Sequence, residues 1–441
     1  MDAAARIDDC GPLRIDARAV ADADRVIAPG SILISAEGVV EAVGTPAELG
    51  RTIDRRVIVE PRAVVIPGLV NAHAHLDLTA LGPRPHALHD GFAAWAAMVR
   101  RDRPTTAEAV RHSVRMGIEA SWRGGTAIVG DIAGNRGLDA MEAMRAAGVR
   151  GVSFVEVFGI GAAEDAGLAF ARTVSALARP GEPTRVGISP HASYSCGDRL
   201  YRAAASLGLP LATHLSETLD ELRFVQDGSG PLADLLRHVG AWTPELTGWR
   251  CSPIERVVDL VRPSGGAIAH GNYLSDADVE LLVHAAAGAC GPAVGIVYCP
   301  RASAYFGHPA EGHAAHRYLE LLRRGVPVAL GTDSMLCLHT PDRLSVLDEA
   351  RVLHRRDGVD ARVLLAMATV HGATLLGEPR GAVTLGTESR PAGILAADLP
   401  DRPIAGPDGL LDAVMAADTP ARWVVGPRWS RTPIVSGGVV R

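Results

Sequence analysis

Two histidines one residue apart, His73 and His75, close the run Val64-Val65-Ile66-Pro67-Gly68-Leu69-Val70-Asn71-Ala72-His73-Ala74-His75. On an extended backbone residues i and i+2 point to the same side, so both imidazoles can reach one ion at the mouth of a strand. A bare His-x-His pair fits two unrelated loop histidines equally well. More donors follow downstream. His191 lies in Ser189-Pro190-His191-Ala192-Ser193-Tyr194, His214 in Thr213-His214-Leu215-Ser216-Glu217, His270 in Ala269-His270-Gly271-Asn272 and Asp333 in Gly331-Thr332-Asp333-Ser334. Five of the sixteen histidines thus end short apolar runs, and a carboxylate ends another. Such a nitrogen and oxygen donor set suits a catalytic divalent metal. Singly, each residue has a plainer role. His191 fits a core histidine satisfied by backbone, Glu217 a first-turn helix carboxylate, and Asp333 a helix N-cap. Their joint placement favours the metal site. His308, His313 and His316 fall in or near a polar loop and a helix start and receive no metal role.

The elements that must carry these residues follow a repeated grammar. Glu108–Arg123 runs through Gly124-Gly125 into Thr126-Ala127-Ile128-Val129, and residues 138–147, 199–207 and 316–324 each lead through a glycine into an apolar run. A glycine after a helix fits a left-handed C-terminal cap. Helices alternating with short apolar strands argue for a parallel sheet. Eight strands are expected, at 64–70, 126–130, 151–157, 186–190, 210–213, 266–269, 294–298 and 327–331. Eight such units predict an α/β fold of the (β/α)8 TIM-like barrel type, whose chemistry sits at the C-terminal strand ends. Residues 1–62 read as β, with a hairpin at 31–35 and 39–44, and residues 385–441 return to short apolar runs that include a hairpin at 434–440. The expected organisation is a small β-sandwich domain formed by both termini, 1–62 and 385–441, around a metal-dependent barrel at 63–384.

Composition narrows the partners. At 441 residues the chain exceeds one average domain. Hydrophobic residues make up 47% and aromatics only 4%, so Val, Ile, Leu and Ala must fill the core. The net charge of −6 is spread along the chain, which argues against nucleic acid as a partner. No apolar run approaches a membrane span, and the N-terminus lacks a signal core. The six cysteines are scattered without a Cys-x-x-Cys pair, as in reduced cytoplasmic proteins. A cytoplasmic protein acting on a small molecule is expected, and a homo-oligomer is compatible with the sequence. There is no lysine, and every one of the 44 basic residues is arginine, which removes any mechanism needing a Schiff-base or carbamylated lysine.

Together, Pro67-Gly68-Leu69-Val70-Asn71-Ala72-His73-Ala74-His75, His214-Leu215-Ser216-Glu217, Ala269-His270 and Gly331-Thr332-Asp333-Ser334 resemble the amidohydrolase superfamily, in its cytosine-deaminase-like and chlorohydrolase-like branch. Within it, Cys299-Pro300-Arg301, Tyr305-Phe306-Gly307-His308 and Gly228-Ser229-Gly230-Pro231 resemble aminodeoxyfutalosine deaminases. Adenosine-type deaminases of the branch usually carry His-Ala-Pro-Tyr after strand four, whereas Ser193 replaces the proline here. The resemblance implies one divalent ion, zinc or else iron, held by His73, His75, His214 and Asp333. Binuclear relatives bridge two ions with a carbamylated lysine, which this chain cannot supply. By the same resemblance Asp333 accepts a proton from the attacking water, Glu217 shuttles it to a ring nitrogen and the leaving amine, His270 steadies the developing oxygen, and His191 contacts substrate.

The implied function is hydrolysis of a non-peptide C–N bond, foremost the deamination of an aminated heterocycle such as an adenine-type nucleoside. Chloride displacement from a triazine, opening of a cyclic amide and a non-catalytic barrel scaffold are the alternatives. Arg301, after strand seven, or Arg84, after strand one, is the candidate for a substrate carboxylate. The competing and favoured role for Arg301 is a structural pair with a barrel carboxylate.

Overall fold

The computed structural model describes residues 5–6, 11–134, 137–287, 293–401 and 403–428. Eight short strands carry the middle of the chain: β1 (Leu69–Ala74), β2 (Thr126–Ala133), β3 (Gly151–Val157), β4 (Thr184–Pro190), β5 (Ala212–Leu215), β6 (Gly266–His270), β7 (Val294–Tyr298) and β8 (Val328–Leu330). They pair in parallel as two four-stranded sheets, β4-β3-β2-β1 and β5-β6-β7-β8. The sheets touch along two seams. Isolated parallel bridges join Ala74 to Asp333 on one side, and Ile188 to Leu211 and Ala192 to His214 on the other. At the first seam Asn71 Nδ2 donates to Thr332 Oγ1 at 2.7 Å, and the Asp333 N–H donates to the His73 carbonyl at 3.0 Å.

Strands buried on both faces are largely apolar, which explains runs such as Val294–Tyr298, whose one polar side-chain group, the Tyr298 hydroxyl, accepts from Arg356. Ala72, Ala212, Ala267 and Ala329 pack with Phe154 and Val297 on one side. The larger Ile188, Leu215, Ile268, Ile296 and Leu330 join the helix-facing core on the other.

The first strand differs from the expected 64–70. Residues Arg56–Pro67 belong to a different sheet, antiparallel to Ile394–Asp398, and β1 begins only at Leu69. The break falls at Gly68, where an added Cβ would lie 2.6 Å from the Ala127 Cβ and the N–H donates to the Gly393 carbonyl at 2.8 Å. No side chain fits there, so the chain can pass from one sheet to the other only through glycine. Gly124 is constrained in the same way, since a Cβ would meet the Leu344 carbonyl oxygen at 1.9 Å.

Strands from both ends of the chain share one eight-stranded sheet, in the order Ala5–Arg6, Arg422–Gly426, Ile394–Asp398, Arg56–Pro67, Leu13–Ala21, Gly30–Ile34, Val40–Gly44, with Val26–Ile27 beside Leu13–Ala21. The hairpin near residue 38 is present, turning at Gly38 with φ +77°. The expected hairpin at 434–440 lies outside the described residues. Among the described residues no helix is long and apolar enough to cross a membrane. Cys196, Cys251, Cys299 and Cys337 are free thiols.

Candidate active site

His73 is the last but one residue of β1, and the chain turns at His75 into a 3-10 helix, Leu76–Leu81. Both imidazoles point toward His214 at the end of β5. Ring centroids lie 5.1 Å apart for His73 and His75, and 4.9 Å for His73 and His214. One nitrogen from each of the three falls within 4.8 Å of the others. The His214 Nδ1–H donates to the His191 carbonyl at 2.8 Å, which leaves Nε2 with a lone pair facing the cluster. His73 Nε2 is buried and lacks any hydrogen-bond partner. An orphaned polar atom at such a place is costly unless a ligand satisfies it. Burial pushes the proton affinity of His73 and His75 well down and that of His214 to about 4, so all three are neutral donors at neutral pH.

Asp333 follows β8 in a left-handed conformation, φ +57°, that aims its carboxylate inward. Its Oδ1 stands 3.5 Å from His75 Nε2 and accepts the Ser334 N–H at 2.7 Å. Burial raises its pKa to about 6. The donor set therefore fits a divalent ion, with three neutral imidazoles, one carboxylate and an unsatisfied nitrogen. Glu156, His191 and His214 form a second trio within the same spacing. It shares His214, whose only uncommitted nitrogen already faces His73 and His75.

Glu217 is 7% exposed and sits beyond His214. Burial first, then the charges of Asp333 and Glu221, raise its pKa well above the usual carboxylate range. Its Oε1 lies 3.6 Å from His270 Nε2. His270, with φ +74°, is held from behind by the His316 Nε2–H, which donates to its carbonyl at 2.8 Å. His191 packs against Phe158 with ring centroids 4.7 Å apart, contacts Ser195 Oγ at 2.7 Å through Nδ1, and turns Nε2 toward Glu156 at 3.8 Å.

These groups surround a cavity of about 400 Å³. His75, His191, His214, Glu217, His270 and Asp333 form its polar floor. The outer wall is apolar. Phe92, Trp95 and Val99 come from helix α1 (Gly91–Asp102), with Leu235 and Leu236 from α3 (Pro231–His238) opposite; α2 (Leu219–Asp227) lies between β5 and α3 in the chain.

The structure brings seven of the expected residues together and leaves two apart. Arg301 is withdrawn from the cavity. Its Nε donates to Glu349 Oε1 at 2.6 Å, and further N–H groups reach Thr340 Oγ1 and the Ser345 carbonyl. Glu349 is fully buried, and a buried carboxylate demands a cation. Arg84 is exposed, lies outside the cavity lining, and its main-chain N–H donates to the Leu336 carbonyl. Neither arginine lines the cavity, and Arg301 makes the pair with a carboxylate that was the favoured role for it.

The arginines that do line the cavity are Arg100 and Arg103, together with Glu156. Arg103 donates to Asp77 at 2.7 Å and feels the Glu156 charge. Glu156 could have been found by reading the end of β3 as the other strand ends were read. Nothing in the spacing marks the Asp77–Arg103 pair. Beneath it Asp131 accepts the Leu76 N–H at 3.0 Å, and burial raises its pKa to about 8.

Comparisons with known proteins agree with this geometry. A model of the Amidohydrolase family matches residues 64–425. The aminodeoxyfutalosine deaminase of Deinococcus radiodurans is 31% identical over 377 residues, covering 79% of this chain and 82% of that protein. A 5-methylthioadenosine/S-adenosylhomocysteine deaminase of Halobacterium salinarum is 26% identical, covering 86% and 82%. In fold, the chain is similar to a zinc-bound adenosine deaminase of Xanthomonas campestris, with a TM-score of 0.71, 20% identity, and 95% and 94% of the two chains covered.

Proposed function

We propose that this chain, which belongs to the amidohydrolase family, is a metal-dependent enzyme that hydrolytically removes the exocyclic amine of an adenine-type nucleoside, with aminodeoxyfutalosine-like compounds the foremost class. The observation that carries the proposal is the cluster of His73, His75, His214 and Asp333 at strand ends, with Glu217 beside it and all but His73 lining one cavity. We take the two four-stranded sheets as one closed (β/α)8 barrel spanning 63–384, and the sheet shared by the termini as part of a separate β domain at 1–62 and 385–441.

His73, His75, His214 and Asp333 would hold one divalent ion, zinc foremost. Such an ion supplies water activation at neutral pH and Lewis-acid polarisation. The chain's own groups do the rest. Asp333 takes a proton from the attacking water. Glu217, which burial disposes to carry a proton, protonates a ring nitrogen as the water oxygen bonds to the aminated carbon. Glu217, reloaded with the proton that Asp333 took, then protonates the amine, which leaves as ammonia; the remaining proton of the attacking water returns to Glu217, and the ring keeps the oxygen. His270 hydrogen-bonds the developing oxygen. His191, held by Ser195, contacts the heterocycle. The apolar wall excludes water and takes the part of the substrate beyond the ring.

Chloride displacement from a triazine would use the same floor. Glu217 favours the amine, because ammonia is a poor leaving group without protonation and chloride is not. The deciding experiment is a screen of 6-amino nucleosides for ammonia release by purified protein of measured metal content. Release from at least one of them is expected. A protein that leaves all of them untouched while hydrolysing a triazine or a cyclic amide would overturn the proposal.

A further inference from the structure

The main chain of Glu217 is gripped from both sides by buried side chains that touch neither the cavity nor the histidine cluster. Its N–H donates to Glu221 Oε2 at 2.8 Å. The other oxygen of Glu221 accepts the Ser193 hydroxyl at 2.5 Å. The Glu217 carbonyl accepts the Asn272 Nδ2–H at 3.0 Å, and Asn272 Oδ1 accepts the Ser303 hydroxyl at 2.8 Å. Ser193 and Glu221 are fully buried, and Asn272 and Ser303 are 3% and 2% exposed. The four residues follow β4, β5, β6 and β7, so one hydrogen-bonded chain spans four successive strand ends with Glu217 at its centre. Ser216, just before it, is held at φ +52°, a left-handed conformation that a serine adopts only when its surroundings fix it.

We propose that Ser193, Glu221, Asn272 and Ser303 are positioning residues that fix where the Glu217 carboxyl meets the substrate, an inference that rests on the acid–base role given to Glu217 above. A fully satisfied buried network is rigid, and Glu217 must reach two different atoms in turn, a ring nitrogen and the leaving amine. A pinned main chain restricts that motion to the side chain. The grip also gives Ser193 a purpose. A proline at this position, usual in the resembling deaminases, would offer Glu221 no hydroxyl.

The test compares Glu221→Met, Glu221→Gln and Ser193→Ala in metal-loaded enzyme, with Glu217→Gln alongside. Glutamine keeps an acceptor for the Glu217 N–H and a polar group toward Ser193; methionine keeps only the volume. Displacing a reacting group by an ångström costs about 10²-fold, so Glu221→Met is expected to lower kcat by about 10- to 100-fold with KM and metal content unchanged. Glu221→Gln should restore kcat to within about threefold of the wild type, and Ser193→Ala should lower kcat by about three- to tenfold. Wild-type kcat in Glu221→Met overturns the inference, as does a joint loss of metal, KM and kcat that glutamine fails to rescue. If Glu221→Met does not fold, Ser193→Ala decides: unchanged kcat overturns the inference. Full turnover in Glu217→Gln would instead remove the premise and refute the acid–base role itself.

Discussion

Replacing Glu217 by glutamine isolates proton transfer from everything else the site does. The side chain keeps its volume, and an amide oxygen or nitrogen still stands near His270 Nε2, now 3.6 Å away. Both main-chain grips act on N–H and C=O and survive the change. What disappears is the acidic proton that the carboxyl can give and take back. Positioned acid–base groups contribute about 10²–10⁴-fold, or about 3–5 kcal/mol of barrier. With Glu217 only 7% exposed, bulk water is a poor substitute, which places the expected loss in the upper part of that range, about 10³–10⁴-fold in kcat. The assay is ammonia release at saturating nucleoside, with metal content measured on the same samples and expected to stay at the wild-type level. The loss should narrow for an analogue carrying chloride in place of the amine, since chloride departs without a proton. Turnover within about threefold of the wild type in metal-loaded Glu217→Gln would refute the reasoning and leave Glu217 as a helix-start carboxylate.

Chelation should abolish turnover and lower the melting temperature, with both restored by one equivalent of a divalent ion; two stoichiometric ions in the active protein would refute the mononuclear site. Arg301→Ala strands the buried Glu349 carboxylate and should cost about 3–5 kcal/mol in denaturant unfolding while KM for nucleosides changes little; a KM effect without a stability effect would return Arg301 to the substrate. Asp131 carries a pH signature. Its native carboxyl keeps its proton up to about pH 8, whereas the unfolded one releases it near pH ~4. In that window the native state binds the extra proton, so this residue's contribution to stability falls as pH rises, by about 1.4 kcal/mol per unit. The melting temperature of Asp131→Asn relative to the wild type should therefore rise between about pH 5 and about pH 8, and a constant difference would refute the protonated state.

The strand-end residues were legible because parallel strands impose a simple rule. A strand buried on both faces is a largely apolar run, and polar side chains at its C-terminal end face the loops that build a site. His214 and His270 stand in the last two positions of β5 and β6, and His191 and Asp333 lie within three residues past β4 and β8. Gly68 was less legible, because Val64–Val70 reads as one strand and only the approach of Ala127 and Gly393 forces the break. Arg301 left two roles open for a related reason. It follows β7 as a site residue would, but the partner that turns it away, Glu349, lies 48 residues on and leaves no mark in spacing. The apolar wall from α1 and α3 was hidden too. Phe92, Trp95 and Leu236 look like ordinary core positions of amphipathic helices until the helices are placed across a cavity. Glu221 is a similar case, since a carboxylate in the first turn of a helix is common and only the distances to Glu217 and Ser193 give it a purpose.

The two seams divide the molecule into halves, residues 69–190 and 212–330, and the proposed ligands divide with them. His73 and His75 come from the first half, His214 from the second, and Asp333 directly follows it. The seam hydrogen bonds are made by the same segments, His214 N–H to the His191 carbonyl and Asp333 N–H to the His73 carbonyl. A bound ion would therefore act as a rivet between half-molecules. Ion affinity and the closing of the seams become one equilibrium, so each should strengthen the other. Two fragments cut in the loop between β4 and β5 should reassemble far better with the ion than without it. In the intact chain, the amides of His214 and Asp333 should be the ones whose hydrogen exchange slows most on metal binding.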